Sequence, residues 1–429
     1  MGFGKEWKST FEFLKKFWID DITILDRKKF EEFDVEEKKI LSSTANVLWD
    51  DYLDNLQTFD YIIKSPWVSP YQEKLNPFRD KLLDQTQIFF SNFKGKIIAV
   101  TWTKWKSTVT TLIYELLKKS WYKVEILWNI WKPSLDYIYS DYDFVVYEMS
   151  SYMLELAHIN PYISVIINLY QEHLDYHQWF ENYKKAKLNI IWKDSIVICH
   201  SSLKDILQWY NNTKILFGES GEYTVDKDFF YHFQEKLYST SDIKIIWYHN
   251  LTNICVANAV ADIFHIPPAQ TEQIVKSFIG LRHRMQHVAT KNWIIFFDDA
   301  ISTTPQSTIA AIDALKDNIQ TIFLWGTDRW YDFKELAKFI LNSKIQNIVF
   351  FPDTGKRIKS ELISLCPDIN SRFQILEADN MNDAVVFAFH KTWEGRVCLL
   401  SCASPSYTLW KNFEVKGDDF KKNIDMYVG

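Results

Sequence analysis

Twelve residues constrain the rest of the chain: Ile97-Ile98-Ala99-Val100-Thr101-Trp102-Thr103-Lys104-Trp105-Lys106-Ser107-Thr108. The four leading apolar residues read as a buried strand. Val109, Leu112, Ile113, Leu116 and Leu117 then recur at helical spacing. A strand, a short polar turn ending in Lys-Ser-Thr and a helix are the layout of a loop that cradles phosphate. Backbone N–H groups face the anion, Lys106 reaches the β/γ-phosphates, and the Ser107 hydroxyl ligates Mg²⁺. Glycine lets such a backbone approach the anion. The two positions that need it, Trp102 and Trp105, are written as tryptophan.

The conflict extends along the chain. The sequence holds 18 Trp and 11 Gly, whereas glycine alone is about 7% of an average protein. Taken together, the two residue types come close to that share. Trp67 lies in Lys64-Ser65-Pro66-Trp67-Val68-Ser69-Pro70, a turn sequence, and Trp128 and Trp131 bracket Asn129-Ile130. Trp325 and Trp330 bracket Gly326-Thr327-Asp328-Arg329, and Trp121 follows Lys118-Lys119-Ser120, where a helix should end. Turns and helix ends often require φ > 0, where an indole is costly. Most or all of the tryptophans therefore read as glycines, written as tryptophan by a translation table that takes UGA for Trp. UGG codons there would refute the reading. On it, the loop becomes Thr-Gly-Thr-Lys-Gly-Lys-Ser-Thr.

A length of 429 residues allows two to four domains. The 47% hydrophobic and 24% charged content is that of a soluble globular protein. A net charge of −6 gives no nucleic-acid footprint. No apolar run reaches the ~18 residues of a membrane span, and the first residues are no signal peptide. The five cysteines are scattered. Cys398 and Cys402 have the spacing of a metal pair but read as small buried residues in a reduced cytoplasm.

In chain order, Gly2-Phe3-Gly4-Lys5-Glu6-Trp7 becomes G-x-G-x-x-G when Trp7 is glycine. A helix over 9–17, a strand over 21–25 and Asp26 at its end complete a Rossmann-type half-site. The strand expected before the first glycine is missing from the chain as it begins. Beyond the phosphate loop, 143–148 reads as a strand ending in Glu148, where a carboxylate can hold Mg²⁺. A strand over 164–169 leads into Glu172-His173-Leu174-Asp175-Tyr176-His177. Histidines and carboxylates gathered just past a strand suit metal or phosphate contact. His249-Asn250 opens an Ala- and Val-rich helix, and 280–285 is a polar connector. Strands over 294–299, 321–324 and 397–400, with a helix capped at Ser302-Thr303-Thr304-Pro305, follow. The alternation predicts an α/β fold with parallel sheets in three domains. Residues 1–91 are Rossmann-like, 92–287 a P-loop ATPase-type sheet, and 288–429 Rossmann-like again.

In order, and over essentially the whole chain, these pieces resemble the Mur ligases. They include the opening glycine motif, Lys64-Ser65-Pro66-Trp67, the 101–108 loop, Glu148-Met149-Ser150-Ser151, His173-Leu174-Asp175, Ala186-Lys187, His249-Asn250, 280–285, 299–303, and 400–406 with Phe413-Glu414. In nearly every glycine-bearing piece, Trp stands where the family has Gly. The resemblance implies an ATP-dependent ligase of peptidoglycan precursor synthesis, which converts a carboxylate to an acyl phosphate and then to an amide. It implies ATP and Mg²⁺ as cofactors, UDP-N-acetylmuramoyl-L-alanine and D-glutamate as substrates, and a cytoplasmic monomer.

By resemblance the catalytic residues are Lys106, Glu148, His173 and Lys187. Ser107 and Glu148 hold one Mg²⁺, and His173 and Lys187, the latter as a carbamate, hold a second. ATP falls to Thr101, Trp102, Thr103, Lys104, Trp105, Lys106, Ser107 and Thr108, with Asn250, Arg284 and Asp299. The UDP-linked substrate falls to Asp26, Ser65, Asn129 and His173, and D-glutamate to Thr303, Arg329, Ser406 and Phe413. Arg329 replaces the family's usual lysine and keeps its charge. Ile301 stands where one branch has lysine, and Glu172 replaces an aspartate. Alternatives are another Mur-type or folylpolyglutamate-type amide ligase, or an inactive nucleotide-binding homologue with a blocked loop.

Overall fold

The Lys96–Thr101 strand is buried at every residue but its first, because it runs inside a parallel sheet covered on both faces. Ile98 and Val100 enter one core with Leu112, Ile113 and Leu116 of the Lys106–Lys119 helix. Ile97 and Ala99 enter the opposite core with Phe89 and Phe90 of the Gln85–Asn92 helix. The computed structural model describes residues 1–2, 5–101, 106–128, 133–169, 173–245, 248–328, 331–405 and 409–428. It divides into two units, Met1–Phe278 and Ile279–Gly429.

Among the described residues of the first unit, nine strands form one sheet. Across it run Glu235–Ser239, Phe229–His232, Tyr223–Val225, Lys214–Phe217, Ile196–His200, Ile163–Ile166, Lys96–Thr101, Phe144–Met149 and Val124–Leu127. From Tyr223–Val225 onward the pairing is parallel. Two small parallel pairs precede it, Thr23–Asp26 with Ala45–Leu48 and Ile62–Ile63 with Leu82–Leu83. Among the described residues of the second unit, six strands form one sheet, ordered Gln286–Lys291, Ile294–Asp298, Val397–Ala403, Ile319–Gly326, Asn347–Asp353 and Gln374–Glu377. Only its first pair is antiparallel. The fold is α/β with large, mainly parallel sheets, as the alternation predicted. No helix among the described residues is long and apolar enough to cross a membrane.

Several tryptophans occupy backbone conformations that suit glycine. The Lys106–Lys119 helix closes with the Tyr122 N–H bonded to the Leu117 carbonyl at 3.1 Å. Trp121 sits between them at φ 69° and is 94% exposed. The Lys5–Lys16 helix closes in the same way, Ile19 N–H to Leu14 carbonyl, with Trp18 at φ 58°. This is the left-handed helix-end motif that glycine normally fills. Asn292 (φ 50°) and Trp293 (φ 62°) form the two-residue turn of a hairpin, where Asn-Gly is the preferred pair.

Replacing Trp121 with glycine is therefore expected to stabilise the first unit by about 1 kcal/mol. Denaturant unfolding checks this, and a loss of stability would overturn it. Trp325 corrects the sequence reading. It is not in a turn but fully buried within the Ile319–Gly326 strand. Its ring lies 4.6 Å from that of Phe351 and 4.9 Å from that of Trp410. Strand pairing carries the chain past the expected boundary.

Candidate active site

The ends of two neighbouring strands and the start of one helix build the site. In register, Val100 pairs with Glu148 and Thr101 with Met149. The Lys96–Thr101 strand therefore ends beside the carboxylate. Trp102, Thr103, Lys104 and Trp105 lie outside the described residues. Lys106, Ser107 and Thr108 open the Lys106–Lys119 helix, Ser107 and Thr108 being buried. A helix start carries unsatisfied N–H groups and a partial positive charge, which suits phosphate.

Glu148 is buried, and its Oε2 has no hydrogen-bond partner among the described residues. A buried carboxylate oxygen without donors is costly unless a cation meets it. The site thus fits a divalent metal with oxygen donors. The Thr101 hydroxyl donates to the Met149 carbonyl at 3.0 Å and accepts from Lys187 Nζ at 3.0 Å. Lys187 is itself buried, its Nζ 5.5 Å from the Tyr183 ring centroid. The His173 ring lies 6.3 Å from the same tyrosine ring. Fold and register thus bring Thr101, Ser107, Glu148, Lys187 and His173 to one end of the sheet. Among the described residues, no three His, Cys, Asp or Glu side chains form a metal cluster; the expected set relies on a hydroxyl and a carbamate instead.

His173 has φ 56° and shares a hydrogen bond between its Nδ1 and the Tyr152 hydroxyl at 2.8 Å. The sequence grouped His177 with it as a metal or phosphate contact. The structure corrects this: His177 is fully buried, with Nδ1 2.9 Å from Glu155 Oε2 and Nε2 3.0 Å from Ser151 Oγ. Both ring nitrogens are therefore taken up by neighbouring side chains. Glu155 also accepts from the Tyr71 hydroxyl at 2.6 Å and from Arg79 at 2.5 Å.

Burial alone would raise the Glu155 pKa, but the His177, Tyr71 and Arg79 hydrogen bonds outweigh it and hold the carboxyl below its ordinary 4.5. A depressed folded pKa means stabilisation that is present above pH 4.5 and lost as pH falls through the folded value. Glu155→Gln is thus expected to cost about 1.5–3 kcal/mol at pH 7. The gap to wild type should narrow as the pH falls below 4.5; urea titrations across pH check it, and a pH-independent gap would refute it. Sequence reasoning passed over Glu155. Its only trace was the four-residue spacing that sets Ser151 and Glu155 on one side of a helical turn.

In the N-terminal part, a cavity of about 240 Å³ is lined by Gly2, Glu6, Trp7, Lys64 and Ser65 among others. Ser65, assigned to the UDP-linked substrate, borders it. Asp26 does not line it; that side chain is buried and accepts the Lys28 N–H at 2.8 Å. Burial, reinforced by the Asp84 charge, pushes Glu6 up to about 7. Burial pulls the Lys64 ammonium down to about 8. Asn129 lies outside the described residues. Asn250 is buried in the first turn of the Tyr248–Ile263 helix and accepts from Asn253 at 3.4 Å.

In the second unit Asp299 accepts the Met285 N–H at 3.1 Å and the Ser401 hydroxyl at 2.9 Å. Burial pushes its carboxyl up to about 6. Arg284 belongs to the same segment as Met285, and Thr303 and Phe413 are half-buried. The Phe413 ring stands edge-on to His283 at 5.9 Å. Arg329 and Ser406 lie outside the described residues. Cys398 and Cys402 are buried, and burial raises both thiols. Cys402 accepts from Lys416 at 2.9 Å.

A parallel sheet with a Lys-Ser helix start and, beside it, a carboxylate oxygen without a hydrogen-bond partner among the described residues has the layout of a nucleotide-binding α/β fold. Residues 100–261 match the Mur ligase middle domain. The chain is 30% identical to the UDP-N-acetylmuramoylalanine–D-glutamate ligase of Caldanaerobacter subterraneus subsp. tengcongensis, covering 86% of this chain and 84% of that one. It is 29% identical to the enzyme of the same name from Clostridium acetobutylicum, over 99% of this chain and 95% of that one. Its fold is similar to that of the MurF ligase from Thermotoga maritima in complex with ADP. There the TM-score is 0.55 and the identity 16%, over 94% of this chain and 95% of that one. The chain belongs to the Mur ligase family. It is an ATP-dependent, amide-bond-forming ligase of peptidoglycan precursor synthesis.

Proposed function

We propose that this ligase joins D-glutamate to UDP-N-acetylmuramoyl-L-alanine in the cytoplasm. The names of the relatives support that choice of substrates. Glu148 Oε2, which has no hydrogen-bond partner among the described residues and lies beside the Lys106-Ser107 helix start, carries the assignment of the reacting end. Residues 1–91 are assigned to the UDP-linked substrate through Asp26, Ser65 and Asn129, and 92–287 to ATP through the 101–108 loop and Asn250. Residues 288–429 are assigned to the amino acid through Thr303, Arg329, Ser406 and Phe413, with Arg284 and Asp299 facing the nucleotide.

Lys106 and the helix N–H groups hold the β- and γ-phosphates while the alanyl carboxylate attacks the γ-phosphorus. The new O–P bond forms as the bond to the ADP oxygen breaks. The D-glutamate ammonium gives one proton to solvent, its free amine attacks the acyl carbon to form a tetrahedral intermediate, and as the C–O bond to phosphate breaks the nitrogen loses a second proton, which the departing phosphate takes up. Ser107 and Glu148 are the residues to hold one Mg²⁺, and His173 and Lys187, as a carbamate, a second. When bound, the metal supplies positive charge to the transferring phosphoryl group. Lys187 carbamylation removes a cation from this site and puts anionic oxygens in its place.

In the same reading the tryptophans at turn and helix-end positions are glycines in the cell. Phosphate release with ATP, UDP-N-acetylmuramoyl-L-alanine and D-glutamate tests the assignment, in a chain carrying glycine at these positions. Competing amino acids are run in parallel; release with L-glutamate or L-lysine but not D-glutamate would sink the substrate assignment.

A further inference from the structure

Two distant segments of the first unit close on one another through Tyr176. Its buried hydroxyl donates to the Pro66 carbonyl at 2.8 Å, with the Val68 carbonyl at 3.2 Å. It accepts from Lys64 Nζ at 3.3 Å. At the other end of the residue, the Tyr176 carbonyl accepts from the Ser69 hydroxyl at 2.8 Å. Both ends of Tyr176 are thus fastened to residues 64–69, the loop that presents Ser65 to the N-terminal cavity.

The same short turn, Leu174–His177, begins at His173. The Tyr152 ring, whose hydroxyl meets His173, packs 4.3 Å from the Tyr176 ring. Behind it, Glu155 binds His177 on one side and Tyr71 and Arg79 on the other. A four-residue turn has little stability of its own. Its position therefore depends on what it is bonded to, and here it is bonded to the Ser65 loop.

We infer that Tyr176 is a positioning residue of the ligase reaction, fixing the Ser65 loop against the turn that carries His173. The inference rests on the roles assigned above to Ser65 and His173. Tyr176 itself need not touch substrate. It sets the reach between the nucleotide end of the UDP-linked substrate and the end that reacts, and a displacement of about 1 Å at such a site can cost about a hundredfold in rate.

The test is Tyr176→Phe, with Ser69→Ala as a second variant that loosens the other end of the residue. Both are made in the full chain carrying glycine at 102 and 105. Expected for Tyr176→Phe are a rise of about tenfold in KM for UDP-N-acetylmuramoyl-L-alanine and changes below about twofold in KM for D-glutamate and in the Kd for ATP, the size of one net hydrogen bond confined to one substrate. Amide exchange at 65–69 and 174–177 is expected to quicken by about tenfold or more, while 109–117 stays protected. Unchanged KM and exchange in both variants would overturn the inference. So would a uniform loss across all substrates with faster exchange everywhere, since that reports general loosening. If the parent chain does not ligate at all, the reading of the site fails and the positioning role with it. The exchange data then still decide separately whether Tyr176 fastens the two segments.

Discussion

With glycine at positions 102 and 105 the chain is expected to ligate, and with tryptophan there to release phosphate at background. The difference should be at least about 10³ in kcat/KM, because losing a single preorganised donor to a transferring group already costs 10²–10³. The loop joins a buried strand, fixed by pairing on both sides, to a helix whose first residues are Lys106 and Ser107. Its ends therefore cannot move apart to make room for indoles. In a loop of this layout the backbone amides themselves are the ligands, and a side chain at a glycine position occupies the space of the phosphate. ATP binding measured by calorimetry should follow the same order, tight in the glycine form and absent in the tryptophan form. Equal turnover by the two forms would overturn the account of the loop and, with it, the reading of these tryptophans as glycines.

Glu148→Gln is expected to lower kcat by about 10³ while leaving the thermal midpoint level or raised. The two effects have one cause. In the free protein the buried Glu148 Oε2 has no donor among the described residues. An ionised oxygen in that position is a liability for folding and an asset for a cation. A neutral amide of the same shape relieves the first and abolishes the second. The thermal shift produced by Mg²⁺ with ATP should therefore shrink in the variant, since a ligand stabilises only what it binds. A variant that keeps more than about a tenth of the parent kcat would show that Glu148 is not a metal ligand. Lys187→Met offers a weaker companion, because it also removes the buried hydrogen bond to Thr101.

Much of the fold was legible because its cause is local. A run such as 97–100 between a turn and a 3.6-residue apolar repeat leaves little choice but strand, loop and helix, and the structure has Lys96–Thr101 followed by Lys106–Lys119. The cap at Thr304 was readable for the same reason, since its hydroxyl serves an amide three residues on. The tryptophan anomaly was visible as a composition and a set of positions. The torsions at Trp18, Trp121 and Trp293 give the physical reason those positions suit glycine.

The limits are as specific. Trp325 was read as the start of a loop bracketed by Trp325 and Trp330, yet parallel pairing with the strand Val397–Ala403 carries it into the core. His177 was grouped with His173 because they are neighbours in sequence, but a four-residue turn sends the two rings to different partners. By itself, then, the sequence determined which residues can form strands, helices and a phosphate loop, since those depend on neighbours along the chain. Only the tertiary structure decided that Glu155 answers His177, that Thr101 meets Lys187, and that Tyr176 fastens a loop more than a hundred residues away. Those contacts follow from where the sheet and its connections place each backbone, and no local period encodes that.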